Sequence, residues 1–512
     1  MSIFKAVTTV GGYTVLSRIF GMAREILMSH FLGAGLLADA FVVAFKFPNF
    51  FRRFFAEGAF NAAFVPIFAG ELASQGKEQA KKIASDVFSF MAIVLLVFCL
   101  IIMVATPFLM PVLAPGFGTT PERLNVAIEF IRITFPYLLF ISLTALLGGI
   151  LNSVDKFASA AAVPILLNIM MIASLLCASF FGWNPGHSLC YGVFIAGILQ
   201  CTWLYGACYR HDFHPRFKWP ALTLPVKRVL KHMGPGTLGA GVMQVNIFID
   251  LMLASFLPTG ALSYLYYADR LNQLPLSVFG IAISTALLPM LSKQLKNGEV
   301  QSAEKTTSKA IDFALQLTMP ATVGLVVMAH PIISLIYGHG KFTTEAIQAT
   351  APTLAAFAVG LPAYVIGKVL STCFFARQDT KTPVKIACIS VAINLLCNLV
   401  LIQPLQHIGL ALSTGIAAWV NAILLAYIMH KKGWYTLLKP SFIKFFGRIT
   451  VACVLMAMSM QGAASFFTPT TTVMEECILV FSLMLVAIIT YVILSIIMNL
   501  VPLSRFKHIK RS

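Results

Sequence analysis

Residues 45–60 read FKFPNFFRRFFAEGAF, and the apolar run that holds them carries Lys46, Arg52, Arg53 and Glu57. Charges recur in comparable surroundings: Arg18, Arg24 and Glu25 in the first apolar run, Asp39 just ahead of the quoted stretch, and Asp250, Asp269 and Arg270 in the second half. A charged side chain at the centre of a membrane helix costs about 2.5–3.5 kcal/mol on insertion scales. Arg18, Arg24, Lys46, Arg53 and Arg270 facing lipid would together cost on the order of 12–18 kcal/mol, so these groups are expected to face a wet cavity or one another. The chemistry they offer is binding. Asp39, Glu57, Asp250 and Asp269 offset only part of the positive charge, and the remainder would attract an anion.

Spacing sharpens this expectation. On a helix turning about 100° per residue, Lys46, Arg53 and Glu57 fall within roughly 40° of the line through Asp39, whereas Arg52 points elsewhere. Arg18, Gly21 and Glu25 share a face of the first helix, with Arg24 to one side, and Arg270, Gln273 and Ser277 share a face in the second half. Snorkelling to an interface is the competing account for Arg52 and Arg53.

The elements that must position these charges are membrane helices. Of 512 residues, 58% are hydrophobic and 11% charged, against about 25% charged in soluble domains. Apolar runs of about 20 residues, enough to span a bilayer, recur from end to end without a domain-sized soluble insert. The expected class is an all-α polytopic membrane protein of about fourteen transmembrane helices. They are read at 6–32, 36–72, 83–113, 124–151, 158–181, 189–209, 226–257, 262–295, 307–337, 344–376, 383–402, 408–430, 443–467 and 475–500. The first run contains Lys5, Arg18 and Arg24 and no small-residue cleavage pattern, so it is expected to stay as the first helix.

The net charge of +18 is distributed in a way that argues against a nucleic-acid partner. Basic residues crowd alternate connections, among them Lys77, Lys81 and Lys82; Arg210, Arg216 and Lys218; Lys293 and Lys296; Arg377, Lys381 and Lys385; and Lys431 and Lys432. The intervening connections are nearly bare, Arg123 and Lys341 being the main exceptions. This positive-inside pattern places both termini in the cytoplasm.

The two halves resemble each other. Lys46 falls on Arg270 at an offset of 224, Pro66 on Pro289 at 223 and Asn168 on Asn394 at 226. A parallel repeat of about six helices follows, with its pseudo-twofold axis along the membrane normal. The expected division is 1–215 and 216–435 for the two lobes, with 436–512 outside the repeat as two extra helices and a basic tail. Transporters built this way hold substrate between the halves. Pro48, Pro66, Pro275 and Pro289 interrupt the charged helices, as helix breaks do where backbone lines a cavity or hinge.

An enzyme is disfavoured. The stretch GHGKFT at Gly338 lacks the hydroxyl residue that a phosphate-cradling loop carries after its lysine, no H-E-x-x-H helix occurs, and the outer connections are too short for a catalytic domain. His187, His339 and His407 stand alone on short loops, which argues against a glycosyltransferase or ligase. The ten cysteines form no C-x-x-C pair and read as small hydrophobes. No metal site and no cofactor are expected.

Several blocks together resemble one family: SRIFGMARE (17–25), LGAGLLADAFVVAFKFPNFFRRFFAEGAFNAAFVPIF (32–68), APGF (114–117), YYADRL (266–271), YGHGKFT (337–343) and RQDTKTPVKIA (377–387). They are similar, in order and over nearly the whole chain, to the MurJ (MviN) lipid II flippases of the multidrug/oligosaccharidyl-lipid/polysaccharide exporter superfamily. The resemblance implies two six-helix lobes in a V with two further helices forming a groove for a lipid tail, in the bacterial cytoplasmic (inner) membrane. It implies movement of lipid II, the undecaprenyl-diphosphate-linked peptidoglycan precursor, from inner to outer leaflet by alternating access, as peptidoglycan synthesis requires. A related exporter of another polyprenyl-diphosphate oligosaccharide, or of drugs, is the alternative; a drug exporter should carry an acidic cavity. The substrate-binding residues expected are Arg18, Arg24, Lys46, Arg53 and Arg270, and the gating or charge partners Glu25, Asp39, Arg52, Glu57, Asp250 and Asp269. The chain departs from the family's pattern at Gln273, where many relatives carry an acid. The expected partners are lipid II and membrane lipids, with the cell-wall synthesis machinery as a further candidate, and the membrane potential or a monovalent ion is the candidate driving force.

Overall fold

The computed structural model describes residues 3–55, 59–436, 439–467 and 472–500, with side chains at all of these except 3–7, 54, 59, 62, 234–243 and 281. Glu57 therefore lies outside the described residues. Within them all regular structure is helical: α1 (Ile3–Leu32), α2 (Leu36–Phe55), α3 (Ala59–Leu113), α4 (Pro121–Thr134), α5 (Tyr137–Ser153), α6 (Phe157–Phe181), α7 (Pro185–Arg210) and α8 (Leu224–Ser255), followed by α9 (Ala261–Pro275), α10 (Ile281–Lys296), α11 (Val300–Val327), α12 (Ala329–Tyr337), α13 (Thr344–Val359), α14 (Leu361–Ala376), α15 (Lys381–Lys431), α16 (Pro440–Ala464) and α17 (Val473–Ile497). A 3-10 turn, Pro115–Thr119, links α3 to α4, and a π turn, Leu276–Gly280, links α9 to α10.

Ten helical stretches are long and apolar enough to cross a bilayer by length and composition. Most of the fourteen segments read from the sequence fall within these ten. The expected first and seventh spans, α1 and α8, are not among the ten. α1 carries Arg18, Arg24 and Glu25, and of α8 only Gln244–Ser255 is counted as an apolar helix, the side chains of 234–243 lying outside the described residues. Two long helices each absorb parts of two expected spans: α3, bent at Gly76 (φ 82°), and α15, bent at Gln406 (φ 48°).

The chain packs as two compact units, Met1–Ser263 and Tyr264–Ser512, the boundary falling within α9. In the first, α6 lies between α1 and α7, α5 joins α3 to α7, α2 packs on α4, and α8 runs along α3. Helix α8 opens the second sequence repeat yet packs here. Packing and repeat thus divide the chain by different criteria. In the second unit α14 is surrounded by α10, α11 and α15 over a core that includes Ile311, Leu315, Val369, Phe374 and Leu425. The last two helices belong to it: α16 packs on α11 and α17, α17 also on α12, and Met328, Met456, Met460, Val480 and Leu483 form a smaller apolar cluster.

The phenylalanines of the 45–60 stretch explain how a charge-bearing segment is anchored. Phe47 and Phe51 pack against Phe135 at 5.1 and 5.8 Å between ring centroids, Phe98 meets Phe51 at 5.1 Å, and Phe50 meets Phe248 of α8 at 5.6 Å. Pro48 has no N–H to give the carbonyl of Ala44, four residues back. The Thr134 hydroxyl of α4 donates to that carbonyl instead, at 2.9 Å. The break in α2 is thereby satisfied inside protein rather than in lipid.

Candidate functional site

The charges of the first unit fall into two clusters of different character. One is built on α1. Arg24 is 8% and Glu25 3% exposed, and the Arg24 Nη2 atom is ion-paired with Glu25. Arg24 Nη1 donates to Asn168 Oδ1 at 2.9 Å and lies 3.8 Å from the Met171 sulfur, both on α6. The Asn168 amide in turn donates to the Ser17 carbonyl at 3.0 Å, so one asparagine holds both the guanidinium and the backbone of α1. Arg18, in the same helix, is exposed. The sequence repeat drew attention to Asn168 without giving it this role.

The other cluster centres on Asp39 at the start of α2. Its carboxylate is fully buried and accepts from Arg123 Nη2 at 2.8 Å, the Gly260 amide at 2.8 Å, the Ser263 amide at 2.9 Å and the Ser263 hydroxyl at 2.6 Å. Arg123, itself 4% exposed, lies with its guanidinium 3.9 Å from the centre of the Phe117 ring and reaches the carbonyls of Ser255 and Leu257 at 3.4 and 3.3 Å. The turn that presents these amides requires Gly260, whose φ of 100° is costly for other residues. The APGF segment is explained by the same cluster. Gly116 donates to the Ser255 hydroxyl at 3.0 Å, and a Cβ there would strike the Ser255 carbonyl.

Asp39 thus takes its partners from α4, the turn before α9 and the first turn of α9, elements outside the helical stripe that pointed to it. Arg123 and Ser263 were missed as site residues. The available signal was that Arg123 interrupts an otherwise bare connection. Along the stripe, Lys46 is half-buried and Arg53 exposed. Arg52, half-buried, turns inward and with Asn61, Asn152 and Gln200 lines a cavity of about 260 Å³ within the first unit. Asp250 of α8 is half-buried and takes a hydrogen bond from Asn246 at 3.4 Å.

In the second unit, Asp269 and Arg270 on α9 are both half-buried. The Arg270 guanidinium lies 4.7 Å from the centre of the Tyr266 ring, and Gln273 donates to Asp269. Gln273 therefore supports the carboxylate one turn earlier. The Asn394 position, which the repeat pairs with Asn168, is buried and accepts from Asn398 at 3.0 Å. Among the described residues no three His, Cys, Asp or Glu side chains group as a metal site would.

Two connections carry carboxylates held far below their ordinary value of 3.8. Hydrogen bonds from Lys77 and Lys81 hold Asp212 at about 2, and Lys432, with the backbone and hydroxyl of Thr382, holds Asp379 at about 2. Asp212 fastens its connection to α3 just past the bend at Gly76, and Asp379 fastens its own to the end of α15.

Comparison with known proteins follows the same lines. Residues 28–482 match the family model described as lipid II flippase MurJ. A probable lipid II flippase MurJ of Rickettsia prowazekii is 39% identical over 459 residues, covering 90% of each chain. The lipid II flippase MurJ of Burkholderia cenocepacia is 34% identical over 91% of each. Among solved structures, a lipid II flippase MurJ in an inward closed conformation superposes with a TM-score of 0.80 at 27% identity, over 95% of this chain and 98% of that one. An inward-facing multidrug resistance MATE family transporter shares the fold alone, with a TM-score of 0.66 at 16% identity, over 85% of this chain and 95% of that one.

Proposed function

The chain belongs to the MurJ lipid II flippase family, and from that premise we propose that it carries lipid II from the inner to the outer leaflet of the bacterial cytoplasmic membrane by alternating access. The observation that carries the reading beyond family membership is the cation cluster of α1. Arg24 is buried and oriented by Glu25 and Asn168, while Arg18 on the same helix is open to a ligand. A guanidinium fork matches the oxygens of a diphosphate, and each charge-assisted hydrogen bond contributes about 1.5–3 kcal/mol.

In this reading Arg18, Arg24 and Arg270, supported by Lys46 and Arg53, engage the diphosphate. Release needs those cations to find other partners. Glu25 already contacts Arg24, and Asp269 neighbours Arg270, so an exchange of anions needs only local movement. Asp39 acts differently, as a hold on the turn before α9 that loosens when the protein changes state. Both termini lie in the cytoplasm, the two repeats form the lobes, and the polyprenyl tail runs along α16 and α17. Those helices turn Val451, Val454, Met458, Phe481, Leu485 and Ile488 outward.

The test is depletion in cells with lipid II probed from the outer face while its synthesis continues. Loss of outer-face exposure, restored by the wild-type chain and not by an Arg24→Ala chain present at equal membrane level, is the expected result. Undiminished exposure on depletion, with no other flippase present, would overturn the reading.

A further inference from the structure

The outer flank of α6 and α7 carries a second, unrelated feature: a groove of about 440 Å³ walled by Leu166, Leu199, Trp203 and Ala207, with Ser159 on one side and Arg210 and His211 at one end. Gly206 and Ala207 leave α7 without bulk along the floor, and the Trp203 indole N–H donates to the Ser159 carbonyl at 3.2 Å, which fixes the ring as a wall although it is 48% exposed. From Arg210 to Leu199 the groove follows eleven residues of α7, about 16 Å at 1.5 Å per residue. That is close to half of a hydrocarbon core about 30 Å thick. The cation sits where a headgroup would be, and the apolar walls extend one leaflet deep.

Charge singles out the ligand. Arg210 is exposed and, among the described residues, joins no carboxylate. The acid that could neutralise it, Asp212 two residues on, is occupied by Lys77 and Lys81, each at 2.8 Å. Lys156, just ahead of α6, does not line the groove, so the positive side chain at the groove is Arg210. We propose that this groove is a binding site for one anionic phospholipid, its phosphate on Arg210 and an acyl chain between Trp203 and Leu166. By the basic-loop pattern the lipid belongs to the cytoplasmic leaflet. The site is separate from the proposed transport path and does not depend on that reading.

Trp203 supplies the readout. The full chain is reconstituted in phosphatidylcholine vesicles containing a small fraction of either phosphatidylglycerol or phosphatidylcholine with brominated acyl chains. The quenching due to Trp203 is taken as the difference between the wild type and Trp203→Phe. One cation near a membrane surface favours an anionic lipid by about fivefold, so brominated phosphatidylglycerol should quench at about one-fifth the mole fraction needed with brominated phosphatidylcholine. Arg210→Gln should remove that preference without changing the melting temperature, and Arg210→Lys should keep it. Equal quenching by the two lipids, a preference that survives Arg210→Gln, or no quenching assignable to Trp203 would each overturn the proposal.

Discussion

The Asp39 and Arg24 clusters are built from the same kinds of side chain in the same unit, yet they differ in whether backbone or side chains hold the charge. Asp39 accepts four hydrogen bonds, two of them from backbone amides, and its cation partner is itself spread over a ring and two carbonyls. Arg24 is held by side chains, among them the Glu25 carboxylate, the Asn168 amide oxygen and the Met171 sulfur, and Arg18, six residues earlier, is exposed. A buried charge saturated by rigid groups has little to gain from a ligand, so it holds structure. A cation held by side chains, which can rotate, can exchange partners, as binding and release require.

The largest expected effect comes from breaking the saturated cluster. Removing one partner of a buried ion pair costs about 3–5 kcal/mol, so Asp39→Asn or Arg123→Ala should lower thermal stability in detergent sharply. Removing both charges, as in Asp39→Asn with Arg123→Met, should recover more than half of that loss. Single variants that melt like the wild type would dissolve the distinction between the clusters.

On the α1 side the expected loss is in binding. Arg24→Ala should weaken lipid II binding by roughly 10- to 150-fold, the equivalent of one charge-assisted hydrogen bond, and Arg24→Lys should recover little because it lacks the fork. Arg18→Ala should weaken binding towards the lower end of that range with an unchanged melting temperature, since Arg18 is exposed. An Arg18→Ala variant that melts early but binds normally would reverse the assignment.

Arg52→Ala should impair complementation less than Asp39→Asn at matched membrane levels, because Arg52 lines a cavity whereas Asp39 joins three segments. The reverse ranking would make that cavity part of transport.

The smallest effect is pH dependence from Asp212 and Asp379. Their folded values of about 2 lie below the ordinary 3.8. The stability they contribute is therefore present above about pH 4 and lost as pH falls through about 2. Melting curves across that window should fall less steeply for Asp212→Asn and Asp379→Asn than for the wild type.

The sequence by itself determined the helical membrane class and the family, because hydropathy and motif order are properties of local runs that survive any packing. It also picked out Arg18, Arg24, Glu25 and Asp39 as out of place in lipid, since the cost of a charge there does not depend on its partners. What those charges touch was decided only by tertiary structure. The helical stripe joined Asp39 to Lys46 and Arg53, but its partners Arg123, Gly260 and Ser263 lie 84, 221 and 224 residues away. Asn168, 144 residues from Arg24, and the Thr134 hydroxyl that replaces the bond lost at Pro48 were equally out of reach of helical periodicity. Periodicity fixes which residues share a face of one helix. Which residue of another helix meets that face depends on packing, and hydrogen bonds act only over a few ångströms.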